Sequence, residues 1–235
     1  MRKLVVTYLL LILLIILITP VHASVKMQAT IDENVHVVFI LENITSTIYD
    51  EIKQNEPIFN ITTIPRTIIK ILEDQDLTRA TYGYDPEKGI IFNDTARSLH
   101  IEFFLAGSDI ISFTLNEATM NRTYQIQTEW RKFQVDLAQN LTLDFAQYFD
   151  TPVSNWIYND SEKTYHYEYT EADSFDPSFS FVLPPTAHNV QATDDTITFE
   201  TPSPPEDILL SSPFLILVAL IIGIMFAFLY RRVRK

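Results

Sequence analysis

Two short patterns in the chain carry residue types able to do chemistry. His100-x-Glu102 and His166-x-Glu168 each set an imidazole and a carboxylate two positions apart. In an extended strand, residues i and i+2 share a face, so each pair offers one nitrogen and one oxygen donor side by side. If the two strands are neighbours, His100, Glu102, His166 and Glu168 converge into a ligand set suited to zinc or another divalent cation. The competing expectation is plainer. The same positions alternate with Leu99, Ile101 and Phe103, or with Tyr165, Tyr167 and Tyr169, as polar residues do on the wet face of a half-buried strand.

Other reaction classes lack their residues. The chain has no cysteine, hence no thiol nucleophile, and contains no G-x-S-x-G, H-E-x-x-H, G-x-x-x-x-G-K or G-x-G-x-x-G. With 4 glycines in 235 residues, there is little from which to build a phosphate-cradling loop. No catalytic residue and no cofactor other than that divalent ion is assigned. The row Tyr165, Tyr167, Tyr169 reads as a recognition surface or as a packing face with its hydroxyls at the rim. Trp130 and Trp156 read as core or rim anchors.

The elements that position these residues alternate in kind. Val25, Met27, Ala29 and Ile31 fall on one face of a strand, Asp32-Glu33-Asn34 turns the chain, and Val35–Leu41 returns. Ile44, Ile48 and Ile52 recur at helical spacing, with Thr47-x-x-Asp50 resembling a capping box. Pro65 suits a first helical turn before Ile68, Ile71 and Leu72. From Thr78 to Leu137 the pattern is mostly β, with a turn at 85–89 and a hairpin at Gly107-Ser108. Leu141, Phe145, Tyr148 and Phe149 mark a short helix, and 164–170, 178–183 and 196–200 read as strands. Glycine is so scarce that Asn, Asp and Pro must make the turns. The expected fold is α+β, a mostly antiparallel domain with two or three inserted helices plus a C-terminal transmembrane helix.

Both ends are oily. Arg2 and Lys3 precede an apolar stretch from Leu4 to Ile18, then Thr19-Pro20 and a small-x-Ala site at Val21-His22-Ala23. Residues 1–23 read as a signal peptide or, uncleaved, as a second anchor. Residues 24–200 form the extracytoplasmic domain, and 201–212 (TPSPPEDILLSS) a Pro-rich, extended stalk. Residues 213–230 form the membrane helix, and 231–235 the basic tail that marks the cytoplasmic side. In that helix Ala219, Gly223 and Ala227 recur every four residues, a packing seam for a homo- or hetero-oligomer. The remaining partner of the anchor is membrane lipid.

Of the 17 Lys and Arg, six lie in the two ends. Eleven therefore face 30 Asp and Glu between them, a formal charge of −19. An acidic surface has nothing to displace counterions from a phosphate backbone, which excludes nucleic acid. Six N-x-S/T triplets, at Asn43, Asn60, Asn93, Asn121, Asn140 and Asn159, are glycan acceptor sequences in an exported segment. Sequons, acidity, abundant Ile and absence of cysteine fit an archaeal-type cell-surface glycoprotein. The expectation is a single-pass membrane protein whose outer domain serves as an interaction or structural module, such as an extracytoplasmic subunit of a membrane complex. The alternative is a metal-dependent ectoenzyme using the two His/Glu pairs.

Overall fold

The computed structural model describes residues 23–116, 118–138, 141–170 and 175–233, with side chains for the same residues except 175, 176, 208, 210 and 228–233. The expected signal segment, apart from Ala23, and Asn140 lie outside the described residues. In chain order, β1 (Ala23–Ile31) and β2 (Val35–Glu42) are followed by α1 (Ser46–Gln54), α2 (Glu56–Ile58), a π-helical turn (Phe59–Thr63) and α3 (Ile64–Asp74). Strands β3 (Ala80–Gly83), β4 (Ile90–Asn93), β5 (Ser98–Gly107), β6 (Ile111–Asn116), β7 (Asn121–Gln127), β8 (Gln134–Ala138) and β9 (Leu141–Asp144) lead to a one-turn helix, α4 (Phe145–Tyr148). Then come β10 (Ile157–Asn159), β11 (Thr164–Glu168), β12 (Phe175–Val182), β13 (His188–Thr193) and β14 (Thr196–Pro202), and helices α5 (Pro205–Leu210) and α6 (Ser212–Val233).

The fold is α+β with mostly antiparallel strands and few helices. An eight-stranded sheet runs β10-β11-β12-β1-β2-β5, with β3 and β4 both pairing the outer edge of β5. Only β1 against β12 is parallel within it; its other pairs are antiparallel. A four-stranded sheet, β13-β14-β7-β6, and the β8–β9 hairpin complete the β structure.

Alternation fixes which face of the large sheet is buried. Val25, Met27, Ala29 and Ile31 of β1, and Val35, Val37, Phe39 and Leu41 of β2, are all at or below 4% exposure. Ile52, Ile64, Ile68 and Ile71 of the helices are buried in the same core. The aromatic centre lies towards β12, where Phe179 meets Phe181 at 4.7 Å, Phe149 at 5.4 Å and Trp156 at 5.6 Å between ring centroids. Tyr165 is buried, Tyr167 stacks on Trp156 at 5.4 Å, and Tyr169 packs on Tyr148. The tyrosine row therefore packs, and both tryptophans are core anchors.

The π-helical turn follows from Pro65. Proline lacks an N–H, and its ring crowds the carbonyl four residues back. The preceding turn widens instead, and the Ile64 N–H reaches the Phe59 carbonyl five residues back.

A buried charge network ties the small sheet to the aromatic centre. Arg131, fully buried, donates through Nη1 to the Thr128 carbonyl (2.9 Å) and through Nη2 to the Thr151 carbonyl (3.0 Å) and Asp195 Oδ1 (2.8 Å). Lys132 Nζ donates to Asp195 Oδ2 at 2.9 Å. Burial lowers the Arg131 guanidinium from its usual value. Burial alone would raise the Asp195 carboxyl, but Lys132 and Arg131 outweigh it and hold it below the usual carboxylate range.

Four expectations need correction. The cap of α1 is Thr45, whose hydroxyl accepts from the Ile48 N–H, so the capping box at Thr47 does not form. Gly107-Ser108 does not make a hairpin, because β6 leaves β5 for the small sheet and pairs β7. Gly107 has φ +103°, and a Cβ there would lie 2.0 Å from the Arg79 carbonyl. Leu141–Asp144 is a strand, which confines the expected helix to Phe145–Tyr148. Residues 201–212 are not an extended stalk: Thr201 and Pro202 finish β14, and 205–210 are helical. Arg122 on β7 pairs with Asp207 of α5 through Nε and, at 3.0 Å, through Nη2, which fastens that helix to the domain.

Among the described residues, whose side chains on α6 end at Ala227, no helix is long and apolar enough to cross a membrane.

Candidate functional site

The second face of the large sheet carries the even-numbered residues of β1, β2 and β5, all half-buried or exposed. Pairing sets them in rows. His36 lies opposite Phe104, Val38 opposite Glu102 and Ile40 opposite His100, with Ile91 of β4 next to His100. The His36 ring stacks on Phe104 with centroids 4.4 Å apart and planes 14° apart. His36 Nε2 is 3.4 Å from Glu102 Oε2, an electrostatic neighbour without hydrogen-bond geometry. His100 Nε2 is shielded from solvent and has no hydrogen-bond partner. Towards one end, Lys26 Nζ donates to Glu42 Oε2 at 2.6 Å and holds that carboxyl below its usual value. The result is an amphipathic surface: Val38, Ile40, Ile91 and Phe104 interleaved with two imidazoles and two carboxylates.

The two His/Glu pairs share this face but do not meet. Three strands, β2, β1 and β12, separate β5 from β11. At roughly 4.8 Å per strand the pairs are about 19 Å apart, so His100, Glu102, His166 and Glu168 cannot close on one ion. Among the described residues no group of three or more His, Asp or Glu is placed to hold a metal ion.

On β11 the pairing creates a constellation that one-dimensional spacing hides. His166 faces Ser180 of β12, and its Nδ1 lies 2.8 Å from Ser180 Oγ, while Nε2 lies 3.4 Å from Glu168 Oε1. A serine, an imidazole and a carboxylate in series are the parts of an activated nucleophile. The setting withholds the rest. Around Ser180, from Ser178 to Val182, β12 is paired on both sides, so the backbone N–H groups beside the serine are engaged in the ladders to β1 and β11 and not offered to an oxyanion. Glu168 is 70% exposed, and a carboxylate in water orients an imidazole weakly. Ser180 was invisible in the sequence because only strand register brings it to His166, fourteen residues away.

A cleft of about 540 Å³ beside β6 is lined by Gly107, Ile111, Phe113, Arg122 and Tyr124 among others. Arg122, the one cation lining it among the described residues, is spoken for: besides Asp207, it donates to the Tyr124 hydroxyl at 3.3 Å and lies 4.3 Å over the Phe113 ring. It clamps the domain to α5 and is not free for an incoming anion.

No protein-family model matches the chain, and no curated protein or solved structure matches it.

Proposed function

We propose that the chain is a single-pass, membrane-anchored cell-surface module, a non-catalytic subunit that docks a protein partner on the second face of its large sheet. The supporting observation is the pattern of exposure on α6. Nine large apolar residues between Leu215 and Phe226 are exposed, from 48% at Ile222 to 67% at Phe226, and they occur on every side of the helix, while Phe214 and Val218 are half-buried. Water penalises such a surface by roughly 25 cal/mol for each Å² of apolar area, and lipid does not. In sequence the apolar run continues beyond Ala227 through Leu229 and Tyr230 to Arg231 and Arg232, the flank of a cytoplasmic end. Ala219, Gly223 and Ala227 are exposed, and a Cβ added at Gly223 meets nothing within 4 Å. We assign that seam to a second membrane helix, and Gly223→Leu should lower crosslinked dimer in membranes.

The Arg122–Asp207 clamp shortens the leash. The sheet face is held at a set orientation near the bilayer, where a partner in the same membrane meets it. Site-specific photocrosslinkers at Ile40 and at Lys70, on the exposed side of α3, test this in intact membranes. The expected result is one discrete adduct from Ile40 and none from Lys70. Equal, diffuse labelling from both sites would refute the docking face.

A further inference from the structure

The sequons differ in what their amides already do. Asn60, in the π-helical turn, donates through Nδ2 to the Pro86 carbonyl and accepts from the Tyr84 hydroxyl through Oδ1. Asn121, at the start of β7, approaches His188 Nε2 and Glu200 Oε2 with its Nδ2, both at 3.1 Å. Both side chains are half-buried, and each holds a neighbouring segment in place. Asn93 and Asn159 are used the opposite way round. Asn93 Oδ1 accepts from the N–H groups of Thr95 and Ala96, both at 3.1 Å. Asn159 Oδ1 accepts from the Ser161 N–H (3.1 Å), the Ser161 hydroxyl (2.7 Å) and the Glu162 N–H. In each the oxygen is tied into an Asx turn, and Nδ2 has no partner among the described residues. Asn43 is exposed, with φ +57° in the turn after β2.

We infer that Asn43, Asn93 and Asn159 are N-glycan acceptors, whereas Asn60 and Asn121 are structural asparagines that the folded protein withholds from modification. The transfer needs a free amide nitrogen. Nδ2 bonds to the anomeric carbon of a sugar carried on a lipid pyrophosphate, the C–O bond to pyrophosphate breaks, and the lipid pyrophosphate leaves with the electron pair as the amide gives up one proton. At Asn60 and Asn121 that nitrogen already serves the fold, and a glycan would displace the Tyr84 loop or the β13–β14 edge. Asn93 and Asn159 have the strand parity of the second sheet face but sit at opposite corners. Asn93 pairs Ser98 at one end of β5, and Asn159 pairs Thr164, in line with Val182, Thr30 and His36 at the other. Six strand spacings of about 4.8 Å put them roughly 29 Å apart across the sheet. Glycans there frame the docking face without covering its centre.

In cells the modification rests on the exported topology proposed above, so the test is made without it. Purified full-length protein in detergent, folded or urea-denatured, is incubated with an oligosaccharyltransferase and its lipid-linked donor, and occupancy is read by peptide mass spectrometry. The expected result is modification of Asn43, Asn93 and Asn159 in the folded protein, with Asn60 and Asn121 modified at least tenfold less and gaining sugar only when denatured. Equal occupancy of Asn60 or Asn121 in folded protein overturns the inference, as does failure of Asn93 and Asn159 in either state. A cytoplasmic location of the domain would leave this result unchanged, which separates the two failures.

Discussion

The two faces of the large sheet are made from alternate residues of the same strands, yet they do different work. The odd-numbered residues from Val25 to Ile31, Val35 to Leu41 and Leu99 to Leu105 are buried in the core. Even-numbered residues stay half-wet and mix Val and Ile with His, Glu and Lys. A backbone of period two carries both programmes at once: one face stores stability, and the other is the face we propose for recognition. Replacing a residue should therefore damage folding or binding according to parity.

The largest effect is expected on the covered side. Phe179 is fully buried among four aromatic neighbours, and Phe179→Ala should cost about 3–5 kcal/mol, read as a lower urea midpoint. A loss under about 1 kcal/mol would mean that this core is loosely packed. Asp195→Ala should cost a similar amount, roughly 3–5 kcal/mol, because it strands a buried Arg131. Its pH dependence has a definite sign. The folded Asp195 carboxyl lies below its unfolded value, so its contribution is complete above about pH 4 and drains away as pH falls through the folded value. The gap between wild type and Asp195→Asn should accordingly narrow in acid; a gap that widens there would contradict the assignment.

Gly107→Ala should cost about 1–3 kcal/mol, since the added Cβ meets the Arg79 carbonyl that β3 brings alongside. Thermal unfolding of the variant measures it. The smallest effect belongs to the uncovered side. Phe104 is 41% exposed, and Phe104→Ser should cost no more than about 1 kcal/mol while abolishing the adduct from Ile40. Were Phe104→Ser as damaging to folding as Phe179→Ala, the division of labour between faces would be false.

Much of the architecture was legible in the sequence, and what was hidden had physical causes. Alternation at 25–31 and 35–41 announced the β1–β2 hairpin, and the Ile spacings announced α1 and α3. Glycine scarcity also told truly: Asn43, Asp76, Asn189 and Asp194 take positive φ. Arg97, Met120 and Lys163 do so too, which no propensity scale would have picked. Sheet order was illegible, because pairing partners far apart in sequence leave no local trace. That single ignorance made two His/Glu pairs look like one metal site and concealed Ser180 beside His166. It also hid that a sequence resembling a proline stalk is folded down by Arg122, a residue eighty-five positions from its partner Asp207.

The central claim is that the acidic domain stands outside the cell on a helix whose basic end is inside. Protease added to intact cells bearing a C-terminal epitope tests it directly. The domain should be digested while the epitope survives on a membrane-protected fragment of helix and tail. A domain that resists until the cells are lysed would contradict the account.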